Sequence, residues 1–352
     1  MRASVVARAH IDLKERLMTI RRFIQFVLCI MLIGITMQAN AWIRSPAVNF
    51  AVLPAGTAHP EGITVDAQGN IYVADFDVSK SSGPGNVVVF NAAGKLLRKL
   101  DVQGSSNLLL GLAFQPQTNA LLVLDLGRAR VLKVDPLTGA SSVFASFPSG
   151  SGPNALTFDS LGNVYVSDSF LATIWRIPAA GGAPAPWVSN PLLGTTGVPP
   201  FGANGIAFNN ARTAMFVANT GNDTVVKIPV QSGFTASTPE IFVNSINGAD
   251  GLIIDASDNV WVAANQSDEI VVVDPSGRAI AKLGDFEGID EHGTPAGLLF
   301  PASLVFSNGF VYVTNLSLDL RLFGAPTVDS QWAAEVTRYN VARIRAQIPP
   351  LR

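Results

Sequence analysis

Four oxygen-bearing side chains, Glu61, Asn154, Asn204 and Asp250, each sit immediately before a small residue (Gly62, Ala155, Gly205, Gly251) at the mouth of a strand-like run. Two carboxylates and two amides meeting at one point would repel or go unsatisfied, and a bound cation resolves both problems at once. All-oxygen ligation without a paired His or Cys argues against zinc and for a hard ion. An amide-rich, water-completed shell suits Ca²⁺ better than the strict octahedron of Mg²⁺. The competing reading is that Asn and Asp here only satisfy turn backbone, as they often do; Glu61 has no such role. His59, two residues before Glu61, is a candidate proton shuttle or equally a surface histidine. No Gly-x-Ser-x-Gly elbow, HExxH pair or phosphate-cradling glycine loop occurs.

Such a site requires a fold that brings distant positions together, and an internal repeat supplies it. Six segments align: PEGITVDAQGNIYVAD, LLGLAFQPQTNALLVLD, PNALTFDSLGNVYVSD, ANGIAFNNARTAMFVAN, ADGLIIDASDNVWVAA and PASLVFSNGFVYVTN. With Gly62, Gly111, Ala155, Gly205, Gly251 and Ser303 as equivalents, the intervals are 49, 44, 50, 46 and 52 residues. That is the period of a four-stranded propeller blade. The runs are β-branched and aromatic, bounded by Gly, Asn and Asp, which excludes helical repeats. Third strands follow at Asn86, Arg130, Thr173, Thr224, Glu269 and Glu335, and weaker fourth strands in the first five units. The sixth lacks a fourth strand, so NFAVLP (Asn49 to Pro54) is expected to close the ring as its outer strand and remove the exposed sheet edge. The fold expected is all-β, a six-bladed β-propeller of four-stranded blades.

Equivalent positions of successive blades face one channel, where the residue before the register position reads Glu61, Leu110, Asn154, Asn204, Asp250, Ala302. A second set, Asp75, Asp125, Asp168, Asn219 and Asn315, with Ala264 in the fifth unit, ends the second strands. Its recurrence points to structural bonds with neighbouring loops, or to support for the axial residues. Two stretches depart from the repeat, Asn190 to Phe201 and Leu316 to Gln331, and read as surface loops, with substrate lids as the alternative. His292 falls in the connection between the fifth and sixth units.

Bulk properties narrow the functions further. Charged residues are 14% of the chain and the net charge is −2 with no long basic run, which removes the footprint that nucleic-acid binding needs. The single cysteine, Cys29, lies in the apolar run Phe23 to Ile35, preceded by Arg21-Arg22 and followed by Ala39-Asn40-Ala41. This is the pattern of a secretory signal at residues 1–41, cleaved after Ala41, with Met18 as an alternative start. An uncleaved anchor is the other reading, although 13 apolar residues fall short of the roughly 20 a spanning helix wants. Residues 42–352 are then one propeller domain, periplasmic or secreted, not inserted in a membrane after cleavage, and monomeric.

At Glu61-Gly62, Asn154, Asn204-Gly205 and Asp250-Gly251 the chain resembles the senescence marker protein/gluconolactonase (regucalcin-like) six-bladed propellers, and more distantly the paraoxonases. The resemblance implies that Glu61, Asn204 and Asp250 hold a calcium ion, that Asn154 binds metal or substrate beside it, and that Asp250 doubles as acid/base. The reaction implied is metal-assisted attack of water on a small lactone or ester. The chain departs from the family's pattern at Ile63-Thr64, where Pro and an aromatic are usual, and at Gly152, where a sugar-binding arginine is usual. With Leu110 and Ala302 also on the channel, a more apolar acyl or aryl lactone or ester is expected. Two alternatives stand: a non-enzymatic propeller similar to the NHL-repeat group that binds protein or glycan, and a propeller lyase that opens a lactone by elimination, with His59 or His292 as base.

Overall fold

The computed structural model describes residues 44–325 and 328–349. The predicted signal at 1–41 lies outside the described residues. Among the described residues no helix is long and apolar enough to cross a membrane.

Six antiparallel sheets of four strands form the blades of a β-propeller. From the axis outward, the first runs Pro60–Val65, Ile71–Asp75, Asn86–Phe90 and Leu96–Asp101, and blades 2 to 5 repeat this order. Blade 4 carries one short extra strand, Thr235–Ala236. The second strands are buried along their whole length in every blade but the sixth, where Phe310 is half-buried. This explains their near-continuous apolar runs: each blade is covered on both faces by its neighbours, so alternation is lost. The fourth strands of blades 1 to 4 carry most of the exposed strand positions, as in LLRKLD, whereas that of blade 5, Ala279–Leu283, is half-buried or buried.

The ring closes as expected. Val48–Val52 pairs antiparallel with Asn340–Arg345, outside Phe310–Asn315 and Pro301–Ser307. The third strand of blade 6 begins at Asn340, five residues later than the Glu335 read from the sequence. A short helix, Val328–Ala333, and the turn after it occupy the preceding segment, so the EVTR stretch is spent on the connection. Blades 5 and 6 are linked by a small hairpin, Phe286–Ile289 with Pro295–Gly297, and His292 lies on its tip.

Two features of the inner strands aim side chains at the axis. Each first-to-second strand pairing breaks register over the same two residues, between Pro60/Ile63, Leu109/Leu112, Pro153/Leu156, Ala203/Ile206, Ala249/Leu252 and Pro301/Leu304. Such an irregularity locally disrupts the ladder and re-aims side chains. Inside it the register glycine lets adjacent inner strands touch: a Cβ on Gly62 would lie 2.2 Å from the Leu110 carbonyl oxygen, and one on Gly205 2.5 Å from that of Asp250. We expect Gly62→Ala to cost about 1–3 kcal/mol through overpacking. Thermal denaturation checks this, with Ala155→Gly as the contrasting change where a methyl is native; equal effects of the two would contradict it.

Candidate functional site

The register break places Glu61, Asn154, Asn204 and Asp250 around one cavity on the axis, each no more than 5% exposed. Its volume is about 30 Å³, room for an ion with a water or two. Leu110, Phe76, Phe300 and Leu316 supply an apolar wall beside the polar groups. The predicted convergence is therefore present in the fold, while Ala302 is buried but off the lining.

A further ring, missed in the sequence, fixes the polar groups. It is the residue just past each second strand: Phe76, Leu126, Ser169, Thr220, Asn265 and Leu316. Its backbone N–H donates to the carbonyl of the residue preceding the inner strand, as in Phe76 to His59 (2.9 Å) and Asn265 to Gly248 (3.0 Å). The ring is polar in blades 3, 4 and 5, which carry Asn154, Asn204 and Asp250, and that correlation was available in the repeat alignment. Asn154 Nδ2 donates to Ser169 Oγ (3.1 Å), Asn204 Nδ2 to Thr220 Oγ1 (3.0 Å), and Asn265 Nδ2 to Asp250 Oδ2 (2.9 Å). Ser169 Oγ in turn donates to the Ala203 carbonyl (2.7 Å). Its proton being used, that hydroxyl can only accept from Asn154, so the amide is oriented with Oδ1 turned away from it.

Glu61 Oε2, Asn154 Oδ1 and Asp250 Oδ1 are buried and have no hydrogen-bond partner. Buried polar oxygens are normally satisfied, and these three, with Asn265 Oδ1 also unpartnered on the lining, form a cradle of acceptors around a single cavity. Burial, and then the charge of Asp250, push the Glu61 carboxyl well above its ordinary range. Burial likewise raises Asp250 to about 7, partly offset by the amides of Asn265 and Asn204 and the Gly251 backbone. Two carboxylates this dry and this close cannot both ionise without a positive charge between them. The donor set thus fits a hard cation. Among the described residues no three His, Cys, Asp or Glu side chains gather anywhere, so a shell here would draw on oxygens beyond the two carboxylates, such as the amide oxygens and water.

His59 lies off the cavity lining. Its Nδ1 is 3.0 Å from the Leu316 carbonyl oxygen, which can only accept, so Nδ1 carries the proton and Nε2 accepts from Tyr339 OH at 3.2 Å. Burial lowers its pKa, holding a neutral ring whose two nitrogens are both engaged. The Asp and Asn residues ending the second strands brace loops: Asp168 Oδ1 accepts from the N–H groups of Gly152, Phe170 and Leu171 and Oδ2 from Trp175 Nε1, and Asn219 Nδ2 donates to the Leu192 and Gly194 carbonyls. Both non-repeat stretches, read as surface loops, instead reach the site. Pro199 and Phe201 from one and Leu316 and Leu318 from the other line the cavity.

No curated protein sequence matches the chain. Among solved structures, a calcium-binding protein, regucalcin, from Agrobacterium tumefaciens superposes with a TM-score of 0.61 at 17% identity, over 88% of this chain and 99% of that one. A gluconolactonase from Xanthomonas campestris gives 0.56 at 16%, over 78% and 97%. Virginiamycin B lyase from Staphylococcus aureus gives 0.51 at 13%, over 77% and 82%. At these identities the likeness is one of fold. An NHL repeat is matched at residues 57–82. Residues 201–284, which contain Asn204, Asp250 and most of blades 4 and 5, match the SMP-30/gluconolactonase/LRE-like region, and through it the chain carries the family resemblance read from its axial residues.

Proposed function

We propose that this chain is an exported, calcium-dependent hydrolase of small lactones or esters. The observation that carries the reading is the trio of buried, unpartnered oxygens on Glu61, Asn154 and Asp250 around one axial cavity. The SMP-30/gluconolactonase/LRE-like match over 201–284 and the gluconolactonase and regucalcin folds support the reaction class and the ion. The leader-like residues 1–41 support a periplasmic or secreted location, and low charge with a closed ring supports a monomer.

Glu61, Asn204 and Asp250 would hold the ion, with Asn154 on it or on the substrate beside it. Bound there, calcium supplies a Lewis acid for the ester carbonyl and a counter-charge for the oxyanion. Asn265 fixes Asp250 through Oδ2 and leaves Oδ1 to take a proton from the attacking water. As the water oxygen bonds to the carbonyl carbon, the acyl C–O bond breaks, and the proton held at Asp250 Oδ1 passes to the departing alkoxide. The products are an alcohol and a carboxylic acid, which releases its remaining proton to solvent to become the carboxylate; the two are joined when the substrate is a lactone. The apolar lining excludes bulk water, which strengthens each of these electrostatic contacts.

A lactone and ester panel assayed with calcium and with chelator tests this. Calcium-dependent products heavier by one water are expected. Products of unchanged mass would establish elimination, for which neither His59 nor His292 lines the cavity. No turnover of any member would leave a binding propeller.

A further inference from the structure

Part of the apolar exposure of this propeller lies on segments that also line the axial cavity or pack on its lining. Of the large hydrophobic side chains exposed among the described residues, Phe170, Leu171, Val198 and Leu322 all belong to three segments that meet at Phe201. Phe201, a cavity-lining residue, packs against Phe170 on one side (ring centroids 5.5 Å) and edge-on against Phe323 on the other (5.9 Å). Phe170 comes from the turn after the second strand of blade 3, Phe201 from the blade 3–4 connection, and Phe323 from the long connection in blade 6. Phe170 nevertheless stays 49% exposed and Leu322 61%.

This surface is built. Asp168 accepts the backbone N–H groups of both Phe170 and Leu171, which fixes their turn. Gly152 leaves the space that the Phe170 ring fills, since a Cβ there would lie 2.6 Å from a ring carbon. At the position two residues before Asn154 the chain thus offers an aromatic face and no hydrogen-bonding side chain. The cavity itself, about 30 Å³, holds an ion and water but no lactone ring, so a substrate must displace the Phe201 side of the lining and lie against these rings.

We propose that Phe170, Phe201 and Phe323 form an aromatic gate that binds the hydrocarbon arm of the substrate, making the preferred class alkyl- or aryl-substituted lactones and esters and not polyhydroxylated sugar lactones. The proposal rests on the hydrolase reading for its substrate class. The apolar wall of Leu110, Phe76, Phe300 and Leu316 continues the gate inward, so an amphipathic substrate would place its ester towards the Asn and Asp side and its arm towards Phe201. Transfer of each methylene onto such a surface is worth up to about fourfold in affinity.

The test compares γ-butyrolactone, the same ring bearing a hexyl chain, and D-glucono-δ-lactone. The parent protein should show kcat/KM rising severalfold per methylene over the first carbons, with the sugar lactone slowest. Phe170→Ser should lower the hexyl-to-unsubstituted ratio about tenfold, chiefly through KM. Gly152→Ala, which keeps every aromatic but displaces the Phe170 ring, should shift it in the same direction. Leu161→Ser, an exposed residue in a hairpin turn of blade 3, should leave the ratio unchanged. Calorimetry with the hydrolysis-resistant hexyl γ-lactam makes the gate measurable apart from turnover. Lactam binding weakened about tenfold in Phe170→Ser, with no lactone turned over, would sustain the gate and sink the hydrolase reading. A ratio that ignores chain length, a preference for the sugar lactone, or lactam binding equal in both proteins would overturn the gate.

Discussion

Asp250→Asn is expected to lower kcat for lactone hydrolysis by a factor of about 10²–10⁴, the usual worth of a positioned general base. The substitution is nearly isosteric, and its amide oxygen can still accept from Asn265 Nδ2, which now holds Oδ2 at 2.9 Å. What disappears is the proton acceptor at Oδ1 and one of two negative charges around the cavity. In the metal-free protein burial raises the Asp250 carboxyl to about 7; a bound cation would favour the ionised form, the one that can accept a proton. Far-ultraviolet circular dichroism should be unchanged, since the side chain packs within a ring held by backbone pairing on either side. Activity retained within about threefold would remove Asp250 from the reaction and shift attention to the neighbouring oxygens.

Stripping divalent ions should expose a stability that falls as pH rises from about 4 to about 8. Asp75 and Asp250 are raised from 3.8 to about 7 and Asp268 to about 8, each chiefly by burial. The folded protein therefore keeps protons that the unfolded chain has released across that window, and unfolding releases them, so stability is fullest at the acid end and is lost as pH climbs through the folded values. Calcium should reverse the axial part of this loss by taking the place of the protons that burial makes Glu61 and Asp250 keep. Saturation at a thousandfold excess over Kd adds about 4 kcal/mol, which corresponds to a Tm gain of about 5–10 °C for a domain of this size. The contributions of Asp75 and Asp268, which do not line the cavity, should survive calcium. Titration calorimetry on the metal-free protein, repeated on Glu61→Gln and Asp250→Asn, provides the direct measure: one-site binding in the parent and none in either variant. Absence of heat and of any Tm shift in the parent would end the calcium reading.

Much of this architecture was written in local residue chemistry. Runs such as IYVA, VYVS and VWVA recur with Asp, Asn and Gly between them, and each became a buried second strand. The register glycines and the residues before them could be aligned, so their meeting on the axis followed from rotational repetition alone. The hydroxyl and amide ring of Ser169, Thr220 and Asn265 was legible in principle but masked by the more regular Asp and Asn column one residue earlier, whose bonds go to loops. The destination of the Asn190 to Phe201 connection was not legible. No periodicity governs where a Pro- and Gly-rich segment returns, and only the fold brings Phe201 to the axis. His59 read as a free titratable group because its partners, the Leu316 carbonyl and Tyr339, come from the far end of the chain.

The pairing of Val48–Val52 with Asn340–Arg345 also sets the order of events during synthesis. Contacts so distant in sequence carry the largest loop-closure cost and form late. The first strand of the described chain must wait, unpaired, until the last has left the ribosome. Five blades can assemble one after another as the polypeptide emerges, but the sixth blade and the closed circle cannot exist before Asn340–Arg345 has been made.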